Sequence, residues 1–156
     1  MFCDALKMRT MTRALLGVVL LAAAAAAQGQ VEARGAWVRG TVQGQTTAGA
    51  YMEITSGQRA SLLGAESPAA GTAEIHVMRM EGDVMRMRAV PRLELPPGKT
   101  VELKPGGYHM MLVDLKRPLK KGDLVPIRLK VELSDKSITT IQVLAEVREL
   151  AATSRP

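Results

Sequence analysis

The sequence LVPIRLKVEL, residues 124–133, carries the clearest structural signal in the chain. Apolar side chains recur at every second position, at Val125, Ile127, Leu129, Val131 and Leu133. The charged residues Arg128, Lys130 and Glu132 fall between them. Because successive side chains of a β-strand point to opposite faces, this pattern predicts a strand with one face buried and the other in water.

Shorter stretches of the same kind, separated by turn residues, predict further strands along the chain. They cover residues 48–55, 73–78, 84–90, 93–103, 106–115 and 138–147. Residues 81–83 join the second and third as a hairpin, and Pro-Pro-Gly divides the fourth. About seven or eight short strands with frequent turns predict an all-β fold, an antiparallel β-sandwich with Greek-key connections. Function is then expected at one end of the sandwich, where strand ends and loops meet.

The first 28 residues predict a secretory signal peptide. Lys7, Arg9 and Arg13 give a positive start, and residues 14–27 form an uncharged apolar run that ends in small residues. The run is shorter than the roughly 20 residues that span a bilayer, which favours a cleaved signal over the alternative, a retained membrane anchor. No cysteine lies near the expected cleavage region, residues 25–30, which argues against a lipoprotein. We expect an exported domain, residues 29–150, without stable membrane insertion, with loose residues after the signal and a flexible tail, residues 151–156.

The composition of the exported part excludes several functions. Its only cysteine, Cys3, lies in the predicted signal peptide, so neither a disulfide nor a thiolate metal ligand is expected. The net charge of +6 falls to +4 without residues 1–27, which carry three Lys/Arg and one Asp. The three remaining aromatic residues, Trp37, Tyr51 and Tyr108, are too few for a base-stacking surface, so nucleic-acid binding is not expected.

The methionines and histidines are clustered along the sequence. Four of the seven methionines after residue 28 lie in HVMRMEGDVMRMR, residues 76–88, and two follow His109 directly. Both histidines of the chain, His76 and His109, lie at the edges of these two clusters. On strands, His76 shares a face with Met78, Met85 with Met87, and His109 with Met111.

Two such contributions from different strands could form a pocket of imidazole and thioether ligands. Soft sulfur ligands select Cu(I), whereas zinc prefers thiolate, imidazole or carboxylate. The alternative is that the methionines fill the core and that the histidines are hydrogen-bonded structural residues. From these residues alone both readings stay open. No nucleophile with a base, phosphate-binding loop or paired carboxylate is recognisable, and a blue-copper centre would need a cysteine, so an enzyme is not expected.

The spacing His76, ten residues, Met87, twenty-one residues, His109, one residue, Met111 resembles the signature of the PCuAC family of periplasmic copper chaperones. The flanking sequences GDVMRMR, LPPGKTVELKPGGYHMML and LKRPLKKGD are also similar to that family, and the resemblance runs over residues 36–147.

The resemblance implies a cupredoxin-like β-sandwich that binds one Cu(I) through His76, Met87, His109 and Met111. It further implies delivery of copper in the periplasm to the copper centres of cytochrome c oxidase. Subunit II of the oxidase and Sco-type copper proteins are the protein partners expected on this basis. The other clustered methionines would form a soft relay or rim, or would serve packing: Met78, Met80, Met85 and Met110. The rival reading is an exported β-sandwich that binds a protein without metal, with its Met and His side chains fully packed.

Overall fold

The computed structural model describes residues 31–149 of the chain, and within them it contains ten β-strands and no helix. The strands are β1 (Val31–Arg39), β2 (Thr47–Ser56), β3 (Ala60–Glu66), β4 (Thr72–Glu81), β5 (Val84–Ala89), β6 (Leu93–Leu95), β7 (Thr100–Leu103), β8 (Tyr108–Val113), β9 (Leu124–Leu133) and β10 (Ile138–Arg148). The predicted all-β fold is confirmed. The predicted signal peptide, residues 1–28, and the tail, residues 151–156, lie outside the described residues.

The strands form one sheet that folds around a common core. Their order is β5-β4-β8-β2-β1-β10-β9-β3-β6, and β7 pairs with the second half of β2, alongside the half that β8 occupies. A single pair, Ala65 with Ala73, connects β3 back to β4 and so brings the two ends of the sheet together.

One pairing differs from the predicted antiparallel arrangement. Strands β1 and β10 run parallel, with Trp37 opposite Glu146, whereas the other pairings among the ten strands are antiparallel. A parallel pair cannot be joined by a tight hairpin. Here the two strands are the first and last of the described chain, so the whole domain connects them.

The core comes from alternate positions of the strands. In β9, Val125, Ile127, Leu129 and Val131 are buried as predicted, and Leu133 is partly buried against them. Strand β10 runs antiparallel beside β9 and contributes its own inward side chains, Ala145 and Val147. Burial of one face of most strands therefore stabilises the sheet, whereas β5 is exposed along its length and is held by its pairing with β4.

The prediction of a loose segment after the signal is wrong for residues 31–39. This segment is strand β1, which lies between β2 and β10 and buries Val31 and Val38. The register shifts between Arg34 and Trp37, and Gly35 there has a φ of 60°. Such a bulge changes which residues face inward, so the sequence of β1 lacks a continuous alternation.

Strand β3 was also not predicted from the sequence. Its register against β9 shifts between Leu62 and Gly64, where the φ of the glycine is 152°. The segment is poor in β-branched residues, and its strand conformation follows from pairing with β9 and β6.

Within residues 31–149 the structure contains no helix of the length and apolarity that crossing a bilayer requires.

The methionines differ in their structural role, and this can be measured as stability. Met110 is completely buried in the core, whereas Met80 is exposed. In metal-free protein, Met110→Ala should lower the free energy of unfolding by about 2–5 kcal/mol, because it leaves a cavity. The matched control Met80→Ala should change it by no more than about 0.5 kcal/mol. Urea titration measures both, and equal losses would contradict the assignment.

Candidate metal centre

Strand β4 lies between β5 and β8, and its register sets the positions of the clustered residues. His76 of β4 is directly opposite His109 of β8, and Met78 of β4 is directly opposite Met87 of β5. Met111 of β8 is directly opposite Glu74, two pairs further along, and so lies diagonally across from His76. All four predicted ligands are therefore on three adjacent strands.

These residues share the face of the sheet that points away from the core. The core face of β4 is taken by Ile75 and Val77, and that of β8 by Met110 and Leu112, all of which are buried. Because side chains alternate, His76 and its neighbours two residues along must project from the opposite face. The candidate residues therefore project from the outer face, next to loop residues at the strand ends such as Pro105 and Gly106.

The predicted ligands differ in exposure. His109 is 5% exposed, the His76 side chain is 16% exposed, and Met87 is 46% exposed. The two imidazole rings have their centroids 5.9 Å apart and are inclined by 58°. The structure thus places two sheltered imidazoles beside each other and an accessible thioether at the outer strand.

An open cleft of about 330 Å³ lies over part of this face. Its lining includes Met78, Met87, His109 and Met111, together with the loop residue Gly106. His76 is not among the lining residues, although its ring neighbours that of His109. The cleft therefore joins three of the four predicted ligands, and the fourth lies directly next to it.

The hydrogen bonds of the two histidines define which nitrogen of each ring is protonated and which one could bind a metal. The Nδ1 atom of His109 is 3.1 Å from the carbonyl oxygen of Gly107, which can only accept, so Nδ1 carries the proton and Nε2 keeps its lone pair. The Nε2 atom of His76 is 3.0 Å from a carboxylate oxygen of Glu74, which assigns the proton to Nε2 in the same way.

The remaining nitrogen of His76 has a distinctive environment. Its Nδ1 atom is buried and has no hydrogen-bond partner among the described residues. A buried polar atom without a partner is costly, and metal-ligating histidines commonly fix their tautomer through a carboxylate or carbonyl on the other nitrogen. In both histidines an oxygen acceptor fixes the proton on one ring nitrogen, so the other ring nitrogen has a lone pair available for a metal.

The donor set fits a soft ion. Residues 31–149 contain no group of three or more His, Cys, Asp or Glu side chains that could hold a metal. The carboxylate of Glu74 accepts the Nε2 proton of His76, so the other candidate donors at this place are the two imidazole nitrogens and the thioethers of Met87 and Met111. Such a set of neutral nitrogen and sulfur atoms suits Cu(I) better than zinc, magnesium or calcium.

An aromatic pair borders the site on the β2 side. Gly49 is directly opposite Met111, and the phenol of Tyr51 lies over this glycine. The ring of Tyr51 also packs against Trp37, with centroids 4.4 Å apart. Burial raises the pKa of the Tyr51 phenol, and the positive charge of Arg39 opposes this rise.

Sequence reasoning missed the residues that orient the candidate ligands. Glu74 precedes His76 by two positions, so strand alternation could have identified it as a partner on the same face. The Gly107 carbonyl and the position of Tyr51 over Gly49 depend on backbone and packing geometry, for which the sequence has no signal.

Comparison with known proteins agrees with this architecture. A family model described as "Putative lipoprotein LpqE-like" matches residues 31–143. The chain belongs to the LpqE-like family. The protein "Putative lipoprotein Lxx21020" of Leifsonia xyli subsp. xyli is 32% identical to it over 114 residues, which are 72% of this chain and 68% of the relative. In this LpqE-like chain the single cysteine, Cys3, precedes the apolar run.

Solved structures confirm the predicted resemblance to PCuAC domains. The apo PCuAC domain of PmoF1 superposes with a TM-score of 0.63 at 22% identity, covering 78% of this chain and 96% of that domain. The copper-bound PCuAC domain of PmoF2 gives 0.57 at 23% identity, covering 78% and 97%. At these identities the similarity shows the fold, and the LpqE-like chain shares it.

A third structure is more similar in sequence. The solution structure of CuI-DR1885 from Deinococcus radiodurans has a TM-score of 0.59 at 33% identity, and the match covers 80% of this chain and 83% of that chain. The cupredoxin-like sandwich expected from the sequence is thus the fold of this LpqE-like protein.

The close approach of Tyr51 to Gly49 can be tested by substitution. In Gly49→Ala the new Cβ would lie 2.5 Å from the phenolic oxygen of Tyr51, so the ring must shift and its contact with Trp37 must change. We expect a loss of about 1–3 kcal/mol in unfolding free energy and a changed Trp37 fluorescence spectrum. In the control Gly107→Ala the new Cβ meets nothing nearer than 3.6 Å, so stability and fluorescence should stay close to wild type. An unchanged Gly49→Ala spectrum would contradict this packing.

Proposed function

We propose that this LpqE-like protein is an exported copper chaperone that binds one Cu(I) through His76, Met87, His109 and Met111. The observation that carries the proposal is the buried Nδ1 of His76, which has no partner within residues 31–149, beside a second imidazole whose own tautomer is fixed. A metal ion shared by the two rings would satisfy both available nitrogen atoms.

The thioethers make copper the preferred ion. Met87 and Met111 line the same cleft as His109, so sulfur atoms and imidazoles approach one space. Thioether sulfur selects Cu(I) among common biological metals. Copper in structural relatives supports this choice: one is a copper-bound PCuAC domain and another is CuI-DR1885.

The difference in exposure of the ligands suits a carrier. His109 is buried and held by Gly107, so it provides a fixed point for the ion. Met87 is on the outermost strand and is accessible, so it can detach first and make room for a ligand of a partner. Neutral thioethers need not be protonated to leave, so copper can be transferred one bond at a time without redox chemistry.

Delivery to the copper centres of cytochrome c oxidase in the periplasm is part of the same proposal. It is supported by the similarity to PCuAC domains and by the signal-like segment of residues 1–28. On this basis subunit II of the oxidase and Sco-type copper proteins are the proposed partners. The role is binding and transfer of an ion, and no catalytic step is proposed.

The rival function, a protein-binding module without metal, is less consistent with the geometry. It expects the methionines and histidines to be fully packed. Met87 is exposed and His76 retains a buried nitrogen atom without a partner among the described residues. The unpartnered buried nitrogen is costly in a purely structural role, and the accessible thioether does not meet the expectation of full packing.

Removing a ligand should weaken copper binding without unfolding the protein. We expect Met87→Leu and His109→Ala each to lower Cu(I) affinity by more than the roughly 10–100-fold that loss of an outer-shell partner costs, because each loses a direct bond. Competition with a Cu(I) chelator measures the affinity, and X-ray absorption should show both sulfur and imidazole nitrogen around the ion.

The matched control is Met52→Leu, which changes a buried methionine away from the cleft. It should keep the wild-type affinity. Circular dichroism must show that each variant is folded. If a folded Met87→Leu or His109→Ala variant binds Cu(I) as tightly as wild type, that residue is not a ligand.

The carboxylate of Glu74 should affect copper affinity through His76. Glu74→Ala removes the acceptor of the Nε2 proton and should lower Cu(I) affinity about 10–100-fold. Glu74→Gln keeps an accepting oxygen and should recover most of that loss. Nitrogen-15 NMR of the imidazole should show the Nε2-protonated tautomer in wild type and a mixture of tautomers in Glu74→Ala. Wild-type affinity and tautomer in Glu74→Ala would exclude this role.

A further inference from the structure

The hairpin of β4 and β5 carries two opposed pairs of methionines on one face. Met78 is opposite Met87, and Met80 is opposite Met85, next to the turn at Gly82. Alternation puts all four side chains on the same face as His76. We call Met78 with Met87 the inner methionine pair and Met80 with Met85 the outer methionine pair.

Packing does not account for the outer methionine pair. Met80 is 61% exposed and Met85 is 53% exposed, and every residue of β5 is exposed. By contrast, Met52 and Met110 are buried and serve the core. Together the four thioethers form an apolar strip along one face of the hairpin, and contiguous exposed apolar strips mark interaction or ligand-binding sites.

The charged residues of the hairpin occupy its opposite face. Arg79 is directly opposite Arg86, and Arg88 donates a 2.6 Å hydrogen bond to Glu81. Glu81 also forms an ion pair with Arg86 at 3.2 Å. Between residues 78 and 87 the hairpin thus separates its paired charges from its thioethers, and the four methionines there present soft, neutral donor atoms.

The methionine face is continuous with the candidate metal centre. Met87 belongs to the inner methionine pair and is also one of the four proposed ligands. Directly opposed residues on neighbouring strands have Cβ atoms about 4.5–5.5 Å apart, and diagonal neighbours are about 7–8 Å apart. Flexible methionine side chains can bridge these separations, so sulfur atoms are spaced at short intervals from the hairpin turn to His76.

We propose that Met80 and Met85 form a second, weaker Cu(I) site, through which the ion enters and leaves the inner His/Met site by way of Met78 and Met87. This inference rests on the proposed copper function of the inner site. At each step one copper–sulfur bond forms as another breaks, and the ion stays Cu(I), so no electron donor or acceptor is needed. Two neutral thioethers bind more weakly than two imidazoles with two thioethers, which favours movement inward during loading.

Silver(I) is a suitable probe, because it is a soft monovalent ion that stays in one oxidation state. With carbon-13-labelled methionine methyl groups, the first equivalent of Ag(I) should shift the Met87 and Met111 signals. A further excess should then shift the Met80 and Met85 signals, whereas the buried Met52 should not respond. In His109→Ala, which lacks an inner ligand, Met80 and Met85 should still respond to Ag(I).

The outcomes separate this inference from the proposed function. Shifts at Met111 with none at Met80 and Met85, even at excess, would overturn the second site and leave the inner site supported. Shifts at Met80 and Met85 alone would support the second site and contradict the inner one. No shift at any of these signals would overturn both.

Transfer kinetics provide a second test. The double variant Met80→Leu/Met85→Leu keeps side-chain size and leaves the four inner ligands in place. It should retain the inner-site Cu(I) affinity but unload to a competing chelator about tenfold more slowly, which corresponds to about 1.4 kcal/mol of barrier. Val84→Leu, on the same hairpin but without a thioether, is the control and should unload at the wild-type rate. Wild-type unloading by the double variant would overturn the pathway.

Discussion

The register of β4 between β5 and β8 is the constraint on which the rest of this site depends. It places His76 directly opposite His109 while Ile75 and Met110 face the core. A slip of one residue would turn every side chain of β4 to the other face. The buried side chains of β4 and β8 oppose such a slip, so the hydrophobic core fixes the outer face as firmly as the inner one.

This arrangement separates rigidity from accessibility. The histidines lie on the two inner strands of the trio, and each is oriented by an oxygen acceptor, Glu74 for His76 and Gly107 for His109. The methionines extend outward onto β5, the edge strand. An edge strand with exposed apolar residues risks association with other chains. Arg86 and Arg88 of β5 form ion pairs with Glu81 of β4 on the opposite face. These charges limit that risk and leave the thioether face available.

Much of the fold could be predicted from local patterns. The alternation of residues 124–133 corresponds to β9, and the hairpin across residues 81–83 joins β4 and β5. The two strands that local patterns did not predict, β1 and β3, both contain a register shift at a glycine, Gly35 in β1 and Gly64 in β3. A bulge interrupts the two-residue period, so prediction by alternation fails there for a physical reason.

By itself the sequence determined the candidate donor atoms, their spacing and the face each would occupy on its own strand, because alternation is a local property of extended backbone. Only the tertiary structure decided that β8 lies beside β4, that Glu74 and the Gly107 carbonyl fix the two tautomers, and that Met87 is exposed while Met110 is buried. Strand pairing joins residues more than thirty positions apart, and its choice depends on how all ten strands share one core.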